Sequence, residues 1–262
     1  MKVGFIGCGN LGSSLIKGIL NASALRAKEL VASDVSDEKL GELEKFGIEA
    51  TTDNKKLVEH CDVIFIAVKP DIVESVLEET KESSRDKLFV SVAAGVSTKF
   101  IETRTRARVI RVMPNICGVA GEMASCFSLG TRASREDEEL VEKLLAGVGM
   151  TFKVDEKLMN AVTGLSGSGP AYFYFIVKAL QEAGVELGLS SEVALKLAAQ
   201  TAKGAGEVIL REGKTLDELT RMVCTPKGTT IEGLKVLEGR KVADALRDAV
   251  KAAARRAKEL SR

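Results

Sequence analysis

The chain has 262 residues, 45% apolar and 29% charged, a composition that excludes a disordered protein. Lys+Arg 38 against Asp+Glu 37 leaves a net charge of +1, without the basic excess of a nucleic-acid binder. The longest purely apolar stretches, such as Val63–Val68, are too short to span a bilayer, so no membrane partner is expected.

The chain opens with a strand-like run, Val3–Ile6, directly after Lys2, and no signal peptide is expected. Gly7-Cys8-Gly9-Asn10-Leu11-Gly12 follows at once and leads into a helical pattern over Leu11–Asn21. A glycine fingerprint between a strand and a helix is a dinucleotide-binding signal. Gly7 makes the tight turn, Gly9 lets the pyrophosphate approach the backbone, and Gly12 lets helix and sheet pack closely. The helix N-terminus then faces the phosphates. A second run, Leu30–Ser33, ends at Asp34, about 20 residues beyond the last glycine, where a ribose-binding carboxylate belongs.

Further runs follow at Val63–Val68, Leu88–Val92, Val109–Val112 and Thr151–Val154, rich in Val, Ile and Phe and not alternating. Such runs suit strands buried on both faces of a parallel sheet. Helical patterns separate them at Asp37–Phe46, Asp71–Glu79 and Thr98–Thr105, and Met123–Leu129 reads as an edge strand. Ser134 with Asp137 is a capping-box signal for a helix through Leu145. Strand–helix alternation predicts a doubly wound, Rossmann-type α/β domain over residues 1–155.

Beyond residue 155 no strand is expected. Helices are suggested over Glu156–Gly164, Ala171–Gly188, Glu192–Arg211, Leu216–Val223, Thr230–Glu238 and Lys241–Leu260, broken at Gly and Pro clusters. Residues 156–262 therefore form an all-helical domain. A helical layer of that size with Ala-rich faces is thin for a self-contained core, which points to an oligomer.

The five cysteines, Cys8, Cys61, Cys117, Cys126 and Cys224, are odd in number and contain no CxxC pair. Neither a disulfide framework nor a metal site is supported, and reduced thiols fit a cytoplasmic location. His60 is the only histidine, at the end of a short polar helix, where a structural role is the ordinary reading. Ligands of an open α/β sheet bind outside the carboxyl ends of its strands. Those ends are Ala67-Val68-Lys69-Pro70, Ser91-Val92-Ala93-Ala94-Gly95 and Met113-Pro114-Asn115. In the helical half, Ser166-Gly167-Ser168-Gly169-Pro170 and Thr225-Pro226-Lys227-Gly228-Thr229-Thr230 each precede a helix and could offer N–H groups to a carboxylate. The cluster Tyr172-Phe173-Tyr174-Phe175 reads as core or dimer contact.

Ala161-Val162-Thr163-Gly164-Leu165-Ser166-Gly167-Ser168-Gly169-Pro170-Ala171-Tyr172 resembles the most specific stretch of the Δ1-pyrroline-5-carboxylate reductases. Thr225-Pro226-Lys227-Gly228-Thr229-Thr230 is similar to their Ser/Thr-Pro-Gly-Gly-x-Thr motif, and the fingerprint, the Ala67–Pro70 segment and Ala93-Ala94-Gly95-Val96 also match. The resemblance runs along nearly the whole chain. It implies reduction of a cyclic imine to L-proline by NADH or NADPH, and a homodimer built by the helical domain, which some members assemble into decamers. It places cofactor contacts on Ile6, Gly7, Cys8, Gly9, Asn10, Leu11, Gly12, Ser33, Asp34, Asn54, Ala67, Val68, Lys69, Pro70, Val92, Ala93 and Ala94. It places the substrate carboxylate on the turn of Lys227, Gly228, Thr229 and Thr230, with Thr230 near the imine nitrogen as the catalytic residue.

Two positions depart from the family. Lys227 replaces the first glycine of the turn; it is strained if the backbone there needs a positive φ, or alternatively it adds a cation beside the substrate carboxylate. Met222 stands where some relatives carry asparagine. Asp34 leans the cofactor toward NADH, because a carboxylate accepts from ribose hydroxyls and repels a 2′-phosphate. The rival readings are a related imine reductase, a β-hydroxyacid dehydrogenase and a non-enzymatic nucleotide sensor. The dehydrogenases carry a catalytic lysine on the helix after a glycine-rich turn; here the first lysine after that turn is Lys178.

Overall fold

The computed structural model describes residues 1–261. Its first half runs β1 (Val3–Ile6), α1 (Asn10–Asn21), β2 (Leu30–Ser33), α2 (Asp37–Glu44), β3 (Glu49–Thr51), α3 (Asn54–His60) and β4 (Val63–Ile66). It continues through α4 (Val73–Thr80), β5 (Leu88–Ser91), α5 (Thr98–Glu102), β6 (Arg108–Met113), β7 (Met123–Leu129), α6 (Arg135–Ala146) and β8 (Gly149–Lys153). The eight strands form one sheet in the order β3-β2-β1-β4-β5-β6-β7-β8. Every pairing is parallel except β6 with β7. The order reverses between β1 and β4, which opens a crevice at their carboxyl ends.

The non-alternating apolar runs have their expected cause. Residues of one strand feed two cores in turn, since successive side chains point to opposite faces. Val3 and Phe5 join Leu15, Ile16 and Ile19 of α1 on one face. Ile6, Ile64 and Ile66 meet Leu57 of α3 and Leu77 of α4 on the other. Phe5 and Phe65 stack across the first face with ring centroids 4.6 Å apart. Each fully buried aliphatic or aromatic side chain contributes roughly 1.5–3 kcal/mol, so the strands are held from both sides.

One expectation is corrected. Met123–Leu129 is not an edge strand: β7 lies between β6 and β8. Its antiparallel sense follows from the short link after Met113, which holds one 3-10 turn over Ile116–Ala120 and is too brief for a parallel crossover. The edges are instead β8 and β3, the latter a three-residue strand whose side chains are exposed or half-buried. The Ser134–Asp137 capping box forms as read, and Asp137 also accepts from Arg108 Nε at 2.7 Å.

After β8 come a 3-10 turn over Glu156–Leu158, α7 (Met159–Val162) and a π-helical turn over Thr163–Gly167. The remaining elements are α8 (Gly169–Glu186), α9 (Ser191–Glu212), α10 (Leu216–Val223), α11 (Thr229–Gly239) and α12 (Val242–Glu259). The chain divides into two compact units: residues 1–168 with the stretch from Lys251 onward, and Gly169–Val250. The strands end at Lys153, but the next residues still belong to the sheet unit: Met159 is fully buried, and Asn115 Nδ2 donates to the Ser166 carbonyl at 3.2 Å.

The helical unit leaves much apolar surface uncovered. Only Gly169, Pro170, Ala194 and Ala198 are buried in α8 and α9, whereas Phe173, Tyr174, Phe175, Leu187 and Leu197 are exposed. Among the described residues no helix is long and apolar enough to cross a membrane.

Candidate cofactor and active site

The fingerprint loop is assembled by backbone bonds between strand ends. Gly7 N–H donates to the Ser33 carbonyl at 2.8 Å, and Ala67 N–H donates to the Ile6 carbonyl at 2.8 Å. Val92 N–H donates to the Ile66 carbonyl at 3.1 Å. Ile6, Ser33, Ala67 and Val92 thus stand side by side at the carboxyl ends of β1, β2, β4 and β5. Gly7 has φ +99°, and a Cβ there would come 2.7 Å from the Ala67 carbonyl, so only glycine fits the turn. A Cβ on Gly12 would strike the Gly7 carbonyl oxygen.

The residues present fit a dinucleotide. Helix α1 begins with Gly9 as its N-cap, has no side-chain cap and carries no acid in its first turn. Its first amides stay open to an anion, as a pyrophosphate site requires. A Cβ built on Gly9 would meet nothing within 4 Å, so the loop also leaves room for the approach. Lys17, Lys39 and Glu42 line a cleft with Cys8, Gly9, Asn10 and Ser13. Lys17 was not singled out in the sequence; its signal is a cation placed two turns into the fingerprint helix.

Asp34 is bound into this loop. Its Oδ2 accepts from Cys8 N–H at 2.7 Å and its Oδ1 from Ser36 N–H at 3.0 Å. Lys39 Nζ lies 3.4 Å from Oδ1. Burial works against the charge, but the two amides and the ammonium outweigh it, and the carboxyl titrates below its ordinary range. Burial and the Asp34 charge push the neighbouring Cys8 thiol up to about 12, so it stays protonated. Ser33 Oγ donates to Asn54 Oδ1 at 2.7 Å, and Asn54 Nδ2 donates to Glu79 at 2.8 Å. Asn54 is therefore brought to the end of β2. Ala67 and Val68 are half-buried, Lys69, Pro70 and Ala94 exposed, and Ala93 buried.

The turn before α11 belongs to the helical unit. Gly228 N–H donates to the Thr225 carbonyl at 2.8 Å, and Lys227 has φ +61°. Pro226 followed by a positive φ is the pattern of a type II turn, whose third position favours glycine. The strain expected at Lys227 is present. Gly228 is the N-cap of α11 without a side-chain cap, which leaves the first amides of that helix open. Thr230 is exposed, and its hydroxyl has no hydrogen-bond partner among the described residues.

Sequence reasoning passed over a buried ionic group. Arg111, in the middle of β6, has a side chain only 5% exposed, and its Nη1 donates to Glu156 Oε1 at 3.2 Å. The signal was available: a cation inside the apolar run Val109–Val112 needs a counter-charge close by.

Comparison with known proteins agrees along the whole chain. Residues 156–260 match the family model described as pyrroline-5-carboxylate reductase dimerisation, and residues 2–95 match that described as NADP oxidoreductase coenzyme F420-dependent. A pyrroline-5-carboxylate reductase of Methanosarcina acetivorans is 41% identical over 100% of this chain and 98% of its own. One of Arabidopsis thaliana is 41% identical over 99% of this chain and 95% of its own. The crystal structure of Plasmodium falciparum pyrroline carboxylate reductase with NADP bound superposes with a TM-score of 0.91 at 31% identity, covering 100% of this chain and 98% of that one. With two relatives above 40% identity over essentially their full lengths, the chain belongs to the pyrroline-5-carboxylate reductase family.

Proposed function

We infer that this protein reduces Δ1-pyrroline-5-carboxylate to L-proline with a reduced nicotinamide dinucleotide, the last step of proline synthesis. The observation that carries the reading is the full-length similarity to reductases of that name, together with an open fingerprint loop. When bound, the cofactor supplies a hydride to the imine carbon. The fingerprint residues Ile6–Gly12 would hold its pyrophosphate, Ser33, Asp34 and Asn54 its ribose end, and Ala67–Pro70 with Val92–Ala94 its nicotinamide side.

The chain's own part is binding and orientation. The open amides at the start of α11, with Lys227, Gly228 and Thr229, suit a carboxylate. The unpaired Thr230 hydroxyl is free to hydrogen-bond the ring nitrogen. The imine can take its proton from water before reduction, so a site without histidine suffices. Asp34 favours NADH over NADPH. The exposed apolar faces of α8 and α9 support a homodimer through the helical unit; decamers known in the family are the next order of assembly to test by light scattering. The cysteines, buried or half-buried without disulfides, fit a cytoplasmic setting.

The test is direct. Purified protein, NADH and pyrroline-5-carboxylate are mixed, with absorbance loss and proline formation followed together. Oxidation of NADH with stoichiometric proline supports the reading; turnover of a 3-hydroxy acid in its place overturns it.

A further inference from the structure

The turn after β5, Ala93-Ala94-Gly95-Val96, is pinned on both sides. On the strand side, Ala93 N–H donates to Ser91 Oγ at 3.4 Å. On the helix side, both carboxylate oxygens of Glu156 reach the first residue of α5: Oε1 accepts from Thr98 N–H at 2.7 Å and Oε2 from Thr98 Oγ1 at 2.6 Å. Gly95, at φ +74°, lies so close to the last residues that a Cβ there would come 2.9 Å from the Leu260 carbonyl oxygen.

Arg111 completes the arrangement. Ser91 and Arg111 are register partners on β5 and β6, so one step of the sheet supplies both the strand-side hydroxyl and the guanidinium that holds Glu156. Arg111 Nη2 is buried with no hydrogen-bond partner among the described residues. With Arg111 buried and Glu156 half-buried, the pair is a poor stabiliser, since desolvation of the guanidinium offsets much of the attraction. What it does provide is a fixed position for the carboxylate, and through it for Thr98 and the turn.

We propose that Arg111 and Glu156 are positioning residues for hydride transfer: they hold the Ala93–Gly95 turn, and with it the nicotinamide face, at a fixed place over the sheet. This rests on the reading that Ala93 and Ala94 take the nicotinamide side of the cofactor. The pair touches neither pyrophosphate nor ribose residues, so it governs the reactive end of the cofactor and not its anchoring. A displacement near 1 Å at a reacting centre can cost about a hundredfold in rate.

The experiment uses the full chain and the variants Glu156→Gln, Thr98→Val, Arg111→Met and Arg111→Lys, with the Glu156→Gln/Arg111→Met double variant. Steady-state kinetics is measured per folded protein, and cofactor binding by fluorescence. The expected result is a fall in kcat of ten- to a hundredfold in Glu156→Gln and Arg111→Met, with the Kd for NADH changed less than about threefold. Thr98→Val falls in the same direction, Arg111→Lys recovers part of the loss, and the double variant is no worse than either single one. If Arg111→Met does not fold, Glu156→Gln and Thr98→Val carry the test. A kcat within twofold of the native value in folded Glu156→Gln overturns the proposal, as does a loss confined to thermal stability or to cofactor affinity. Ala94→Leu separates the underlying reading: if it leaves both NADH binding and kcat intact, the turn does not face the nicotinamide, and the proposal falls with that reading.

Discussion

Lys39 should set the cofactor preference together with Asp34, and in the opposite direction. The two side chains form an ion pair at 3.4 Å, with Asp34 7% and Lys39 47% exposed. Unit charges 4 Å apart interact by about 1 kcal/mol in water and about 4 kcal/mol near a protein surface. The enclosed carboxylate acts toward the upper figure and the exposed ammonium toward the lower. A 2′-phosphate beside the pair therefore meets a net repulsion of about 3 kcal/mol, and removing the ammonium adds about 1 kcal/mol more. Lys39→Met should thus raise the ratio of kcat/KM for NADH over NADPH about fivefold, and Asp34→Ser should lower it by more than about tenfold. The ratios are measured with both cofactors at low and high salt, where screening should shrink the Lys39 effect first. Unchanged ratios in both variants would mean that Asp34 is committed to the Cys8 amide and does not face the ribose.

Thr230→Ala should lower kcat/KM for the imine roughly ten- to a hundredfold, the worth of one hydrogen bond to a charged group, with NADH affinity unchanged by fluorescence titration; an unaltered kcat/KM would reduce Thr230 to a turn residue. Lys227→Gly relieves a left-handed backbone that costs an ordinary residue about 1–2 kcal/mol, less the extra freedom glycine has when unfolded. The expected gain is about 1 kcal/mol, or a Tm rise of 2–4 °C in calorimetry. Asp137, held by Arg108 and the Ser134 amide against the penalty of burial, titrates below its ordinary range in the folded protein. Its contribution is full above the usual carboxylate pKa of about 4 and disappears as pH falls through the folded value. Urea unfolding of Asp137→Asn should show a stability deficit at pH 7 that closes in acid; a constant deficit would contradict the linkage.

The sequence made the sheet legible where chemistry is local. Gly7 and Gly12 at fingerprint spacing, and Val-, Ile- and Phe-rich runs buried on both sides, announce themselves without tertiary information. β3 did not: Glu49, Ala50 and Thr51 carry no apolar run, and pairing with β2 alone makes them a strand. The place of β7 was half legible, since the short link after Met113 excludes a parallel neighbour, but its covering by β8 is a tertiary fact. The strain at Lys227 was foreseen from the motif. The grip of Glu156 on Thr98 was not, because partners 58 residues apart leave no periodicity to read.

The helical unit is an insertion within the sheet unit, which takes back the chain from Lys251 onward. During synthesis the ribosome must therefore deliver residues 169–250 before the strands and helices already made can gain their last packing element. Until then the Gly95 turn lacks the backbone that will lie against it. Domains usually fold as units, N-terminal first. Here the order leaves the cofactor fold unfinished until the segment that exposes Phe173, Tyr174 and Phe175 is also out of the tunnel. Completion of the nucleotide fold and emergence of that exposed aromatic surface are thereby tied to the same late stage of translation.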